Sequence, residues 1–154
     1  MATKKSSIPK KIVKNKAKPA AAKKISFIAA SGRRKTAVAR VRLFEGKDEI
    51  IVNGKPISQY WPGELNKTAY EEPFKTTNTL NKYTATVKVA GSGTNSQMGA
   101  FLTAISKAIS TLNVEQFRPT LKKRGFLTRD PRMKETRKIG AAHGARAKRQ
   151  SPKR

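Results

Sequence analysis

Cysteine is absent from the 154-residue chain, which excludes disulfides and thiolate metal sites. Histidine occurs once, as His143 in a charged stretch beside Gly144. No second histidine or carboxylate stands at ligand spacing from it, so it reads as a solvated or base-stacked side chain rather than a metal ligand or general base. Acidic residues are scarce, nine against 35 Lys and Arg, and leave a net charge of +26. Two acidic pairs, Glu71-Glu72 and Asp48-Glu49, are adjacent in sequence and point in different directions on a helix or strand. They read as surface charges balancing nearby lysines, not as an acid–base pair. No apolar run is long enough to span a bilayer, and no basic amphipathic helix appears, which makes a membrane partner a poor fit. No enzyme activity, metal or cofactor is expected.

What is abundant is positive charge, and it is unevenly placed. Residues 1–24 carry nine lysines and no acid, residues 25–117 twelve basic and seven acidic residues, and residues 118–154 fourteen basic and two acidic. Most of the charge therefore lies outside the part able to fold. Residues 1–24 are low in complexity, and residues after Met133 hold almost no large apolar side chain besides Ile139. Neither segment can bury enough apolar surface to offset its chain entropy, and each repels itself without an anionic partner. A charge of this size selects nucleic acid as partner. Residues 1–24 also lack the apolar stretch of a signal peptide and the Arg-rich amphipathic character of a transit peptide, so a cytoplasmic location is expected.

The foldable part is organised around Val87–Leu112. Tyr83, Ala85, Val87 and Val89 alternate with Thr84, Thr86 and Lys88, the pattern of a half-buried strand. Gly91, Gly93 and Gly99 follow among small polar residues. Met98, Phe101, Leu102, Ile105, Ala108, Ile109 and Leu112 then form one apolar helical stripe, with Gln97, Lys107 and Ser110 turned away. A glycine loop before a helix N-terminus offers unpaired N–H groups to an anion. Gly91-x-Gly93-x-x-Ser96 superficially fits a dinucleotide fingerprint. Its third glycine is missing, however, and no further strand–helix units follow. It is not a P-loop either, since no Gly-Lys-Ser/Thr comes after it.

Earlier in the chain, Ile25–Ile28 opens a first strand leading to Ser31-Gly32-Arg33-Arg34-Lys35-Thr36. Ala37, Ala39, Val41 and Leu43 then alternate with Val38, Arg40, Arg42 and Phe44, giving one apolar face and one set with arginine. After the turn Glu45–Asp48, residues Ile50–Val52 are expected to return as the hairpin partner of that strand. Asn53-Gly54 is a second turn. A helical turn is expected over Pro56–Tyr60, ended by Trp61-Pro62-Gly63, and a short helix over Asn66–Phe74, broken at Pro73. Trp61 fits a lid over the sheet edge better than a base-stacking platform. Asn78–Asn81 turns the chain into the central strand, and a short basic helix or turn from Asn113 to Arg124 closes the domain.

Several of these segments resemble one family. Gly91-Ser92-Gly93, Ser96-Gln97, Ala100, Ala104 and Ser106-Lys107-Ala108-Ile109 are similar to the signature of small-subunit ribosomal protein nine, which usually has three consecutive glycines at the first of these. SGRRKTAVARV, IIVNGKPI and Gly125-Phe126-Leu127-Thr128-Arg129-Asp130-Pro131-Arg132 resemble further motifs of that family in the same order, and Gln150-Ser151-Pro152-Lys153-Arg154 resembles its Ser-Lys-Arg ending with Pro152 inserted. The resemblance implies an α+β domain of the kind shared with the second domain of ribosomal protein five, a sheet backed by helices over residues 25–127. Disordered basic arms over 1–24 and 128–154 complete the expected organisation. It also implies a structural role in the head of the small ribosomal subunit. Its partners would be small-subunit rRNA, neighbouring head proteins and, at the end of the tail, peptidyl-site tRNA. The expected rRNA contacts are Arg33, Arg34, Lys35, Arg40, Arg42, Gln97, Lys107, Lys122, Lys123, Arg124, Arg129 and Arg132; Lys153 and Arg154 are the expected tRNA contacts. The competing class, a nucleoid-type DNA-binding protein, would need a helix-turn-helix, zinc site or minor-groove wedge that the chain does not show.

Overall fold

A computed structural model describes residues 26–141 and 144–146 of the chain. Five strands form one sheet: β1 (Ile28–Arg34), β2 (Ala37–Glu45), β3 (Ile51–Val52), β4 (Lys55–Pro56) and β5 (Tyr83–Ala90). Four helices accompany them: α1 (Ile57–Tyr60), α2 (Glu64–Thr76), α3 (Thr94–Leu112) and α4 (Val114–Lys123). The class is α+β, with sheet order β1-β2-β5-β3-β4.

Strict alternation sends Ala37, Ala39, Val41 and Leu43 of β2 and Ala85, Val87 and Val89 of β5 to one face, where all are buried. The antiparallel register aligns them in pairs, Ala39 with Val89, Val41 with Val87 and Leu43 with Ala85. Helix α3 lies across this face over β1 and β2, and α2 and α4 pack against α3. The expected stripe is there, with Met98, Phe101, Ile105, Ala108 and Ile109 buried. Burial extends further round the helix, to Ser96, Ala100, Thr103, Ala104 and Ser106. One cause is Gly32, whose missing side chain lets β1 approach the backbone of α3: a Cβ there would sit 2.2 Å from the Ala100 carbonyl oxygen.

Two expectations fail. The Ile50–Val52 segment does not pair with β2; β5 inserts between them, antiparallel to β2 over eight residue pairs and parallel to β3 over two. A two-residue strand offers β2 far less ladder than the eight residues of β5, whose apolar side chains also complete the buried face. Asn53, in the turn before β4 with φ +50, extends the β3–β5 pairing with its side chain. Its amide donates to the Val89 carbonyl and accepts from the Val89 N–H, both at 2.9 Å. Nor does Pro73 end the second helix, which runs on to Thr76. Tyr70, Pro73 and Phe74 are all buried on one side of α2. Burying two aromatic side chains, at about 1.5–3 kcal/mol each, offsets the ~3 kcal/mol cost of an interior proline. Thr76 and Thr77 hydroxyls take up the Glu72 and Pro73 carbonyls at the helix end.

Trp61 is a core residue, as expected of a lid. It is buried between Phe101, at 5.3 Å between ring centroids, and Tyr60, at 4.9 Å. The acidic pairs act within the fold: Glu71 pairs with Lys75, Glu72 with Arg124, and Glu49 accepts from the Ser58 hydroxyl.

Candidate nucleic-acid interface

The opposite face of the β1-β2-β5 sheet presents the polar half of each alternating pattern. Arg40 of β2 lies between Ser31 of β1 and Lys88 of β5. Arg42 lies between Ala29 and Thr86, and Arg33 lies opposite Val38. Arg33, Arg40, Arg42 and Lys88 are exposed, and no acid shares this face of the three strands. Directly opposed like charges destabilise a sheet, so the Arg40–Lys88 pair costs the isolated domain free energy that an anion would recover. Aromatic rings border the patch: Phe27, half exposed, packs on Phe44 at 5.9 Å and lies under the Arg42 guanidinium at 5.2 Å. Lys88 is not among the contacts expected from the sequence. Its polar-face position was legible, but its place beside Arg40 follows only from the strand order.

Arg33 and Arg34 do not share a face of the sheet. They are consecutive in a strand and leave it on opposite faces. Only Arg33 joins Arg40 and Arg42. Arg34 pairs with Ala37 on the helix side, where its stem runs along α3 at Gly99. Its Nη2 donates to Asp130 Oδ2 at 3.3 Å. Lys35 occupies the β1–β2 turn with φ +50. Asp130 also accepts from the Arg132 backbone N–H at 3.0 Å and from its Nε and Nη2. The Arg132 side chain first, then its backbone N–H, hold the Asp130 carboxyl well below the usual carboxylate range, and the Arg34 charge adds to this. A carboxyl whose pKa is lowered in the folded state contributes above its unfolded pKa and loses that contribution as pH falls, so this cluster persists at neutral pH and loosens only in strong acid.

The glycine loop is tied to its own domain. Gly91, with φ +82, backs onto the Thr36 carbonyl, where a Cβ would come within 2.4 Å. Both ends of the Gln97 amide are engaged: Oε1 accepts from the Tyr60 hydroxyl at 2.8 Å, and Nε2 donates to the Gly91 carbonyl at 3.1 Å. Lys107 reaches the Ser31 carbonyl at 3.4 Å. Strand β5 is antiparallel to β2, and among the described residues no strand follows α3, so the dinucleotide arrangement is excluded.

Residues 32–154 match the family described as ribosomal protein S9/S16. A relative named small ribosomal subunit protein uS9, from Leifsonia xyli subsp. xyli (strain CTCB07), is 41% identical over 119 residues, 77% of this chain and 71% of its own. The chain belongs to the ribosomal protein S9 family. It is a structural constituent of the small ribosomal subunit and resides in the ribosome. The S9 family is a structural family rather than an enzyme family. Among the described residues there is no group of His, Asp or Glu able to bind a metal and no helix long and apolar enough to cross a membrane.

Within this S9 domain the other basic residues occupy separate places. Lys122, Lys123 and Arg124 end α4, on the helix-covered side of the sheet, anchored by the fully buried Leu121. Arg124 is partly engaged by Glu72 at 3.6 Å. Arg129 is exposed at the start of the tail, after Phe126 and Leu127 pack on the core. Residues 1–24, His143, Lys153 and Arg154 lie outside the described residues.

Proposed function

We propose that the open face of the sheet binds small-subunit rRNA in the subunit head through Arg33, Arg40, Arg42 and Lys88, with Lys35, Lys122, Lys123 and Arg129 as flanking phosphate contacts. The acid-free face, with Arg40 directly opposed to Lys88, carries this reading. The surface suits a regular array of phosphates, and the border rings Phe27 and Phe44 suit unstacked bases. Gln97 keeps its structural role in the glycine loop. Residues 25–127 form the anchor, and the basic segments 1–24 and 128–154 order on RNA. The segment after Thr128 extends toward peptidyl-site tRNA, with Lys153 and Arg154 at its end, and neighbouring head proteins complete the contacts.

The test replaces Arg33, Arg40, Arg42 and Lys88 together by alanine. All four are exposed, so the melting curve should stay close to that of the parent. The dependence of log affinity for head rRNA on log salt should become shallower by about three. An unchanged slope would remove the sheet face from the interface.

The tail is tested separately, by deleting Lys153 and Arg154. Subunit assembly should remain near normal, while tRNA binding to the peptidyl site weakens by about 1–3 kcal/mol, as for charge-assisted contacts. Equal tRNA retention in filter binding would reduce the tail to bulk charge.

A further inference from the structure

Arg34 belongs to the basic motif at the β1–β2 turn, yet its side chain leaves the open face and connects three segments distant in sequence. Its stem occupies space that exists because residue 99 is glycine: a Cβ there would lie 2.4 Å from Arg34 Cδ and 2.8 Å from its Nη1. Its guanidinium reaches Asp130, 96 residues away in sequence. That same carboxylate folds Arg132 back through its N–H, Nε and Nη2. Immediately before, Phe126 and Leu127 pack on the core; immediately after, residues 131–140 are exposed throughout. Asp130 thus sits where the chain leaves the domain, and Pro131 restricts the next φ angle.

We infer that Arg34, Gly99 and Asp130 form a latch that sets the direction in which the C-terminal segment leaves the domain, Arg34 being a positioning residue rather than a phosphate contact. The inference rests on the proposed reading of that segment for its purpose, but not for its geometry. A free chain of the 24 residues after Asp130 would spread over roughly 25–30 Å. Fixing its origin and first direction raises the effective concentration of its terminal cations at one target. A partly exposed ion pair adds little to global stability, so the latch should affect local order and leave the melting temperature almost unmoved.

The absence of cysteine makes the test clean. Thr111→Cys and Thr136→Cys in the full chain carry a spin-label pair whose distance distribution reports the path of the segment. Asp130→Ala, Arg34→Ala and Gly99→Ala should each broaden that distribution at least about twofold, with melting temperatures within about 2 °C of the parent. Gly99→Ala is the sharpest case, because alanine is the stronger helix former: the helix gains while the displaced Arg34 releases Asp130. Unchanged widths in all three variants would overturn the latch. So would a shallower rRNA salt slope for Arg34→Ala, of about one, equal to that of Arg33→Ala, since Arg34 would then be an ordinary phosphate contact.

In assembled subunits, Asp130→Ala should also weaken peptidyl-site tRNA by roughly three- to tenfold. Broadened distributions with unaltered tRNA affinity would uphold the latch and overturn the tRNA reading of the tail. The two ideas therefore fail separately.

Discussion

Replacing Ile105 by aspartate is expected to abolish the cooperative melt of the domain and most of its helical far-UV signal. Ile105 is fully buried near the middle of α3, the helix that covers β1 and β2. An unpaired carboxylate there costs several kcal/mol, and the lost apolar burial adds about 2–3 more. A domain of this size has only about 5–15 kcal/mol in reserve. Thr111→Asp places the same charge on an exposed position of the same helix and should stay folded. If Ile105→Asp melts cooperatively at the parent temperature, α3 does not lie on the sheet as described.

A single methyl group at Gly32 should have the next largest effect. Alanine at this position would place Cβ 2.2 Å from the Ala100 carbonyl oxygen and 2.6 Å from the Ala104 N–H nitrogen. Both obstacles are helix backbone, which cannot rotate aside as a side chain can. Strand β1 must therefore separate from α3, or α3 must tilt off β2 and expose part of the core. Overpacking of this kind costs about 3 kcal/mol, and in a domain of about 100 residues that lowers the melting temperature on the order of 15 °C. Calorimetry of Gly32→Ala against the parent decides it. A shift under about 3 °C would mean that β1 and α3 are not in backbone contact.

The two variants differ in how far their reasons could be read from the residues. The periodicity of Met98, Phe101, Ile105 and Ile109 marks Ile105 as core without coordinates, because a helix repeats its facing positions every three or four residues. Gly32 carries no such pattern. Its φ is not in the left-handed region, so no turn explains it, and its role appears only when Ala100 and Ala104 are brought across from a helix about seventy residues later. The same contrast runs through the basic face of the sheet. Arg40 and Arg42 were legible as an outward face because alternation in one strand is local. Arg34 looked like their companion, and strand parity placed it on the other side. The Asn53-Gly54 turn was legible because its left-handed φ values select those residues. The expected β2–β3 hairpin was not realised, because pairing is a competition among all strands and β5 comes later in the chain.

By itself, the sequence determined what depends on neighbours in the chain. That covers the central strand and core helix, the polar and apolar faces of β2, the strongly positive charge and its placement toward the ends of the chain, and the motifs shared with ribosomal protein S9. Only the tertiary structure decided what depends on partners far apart. It inserted β5 between β2 and β3 and set Lys88 against Arg40. It carried α2 through Pro73 by burying Tyr70 and Phe74, and it joined Arg34 to Asp130 past Gly99. Local periodicity fixes which side of an element is apolar, since the backbone repeat is the same wherever that element lies. Strand order and side-chain partnerships are set by burial and hydrogen bonding summed over the whole domain.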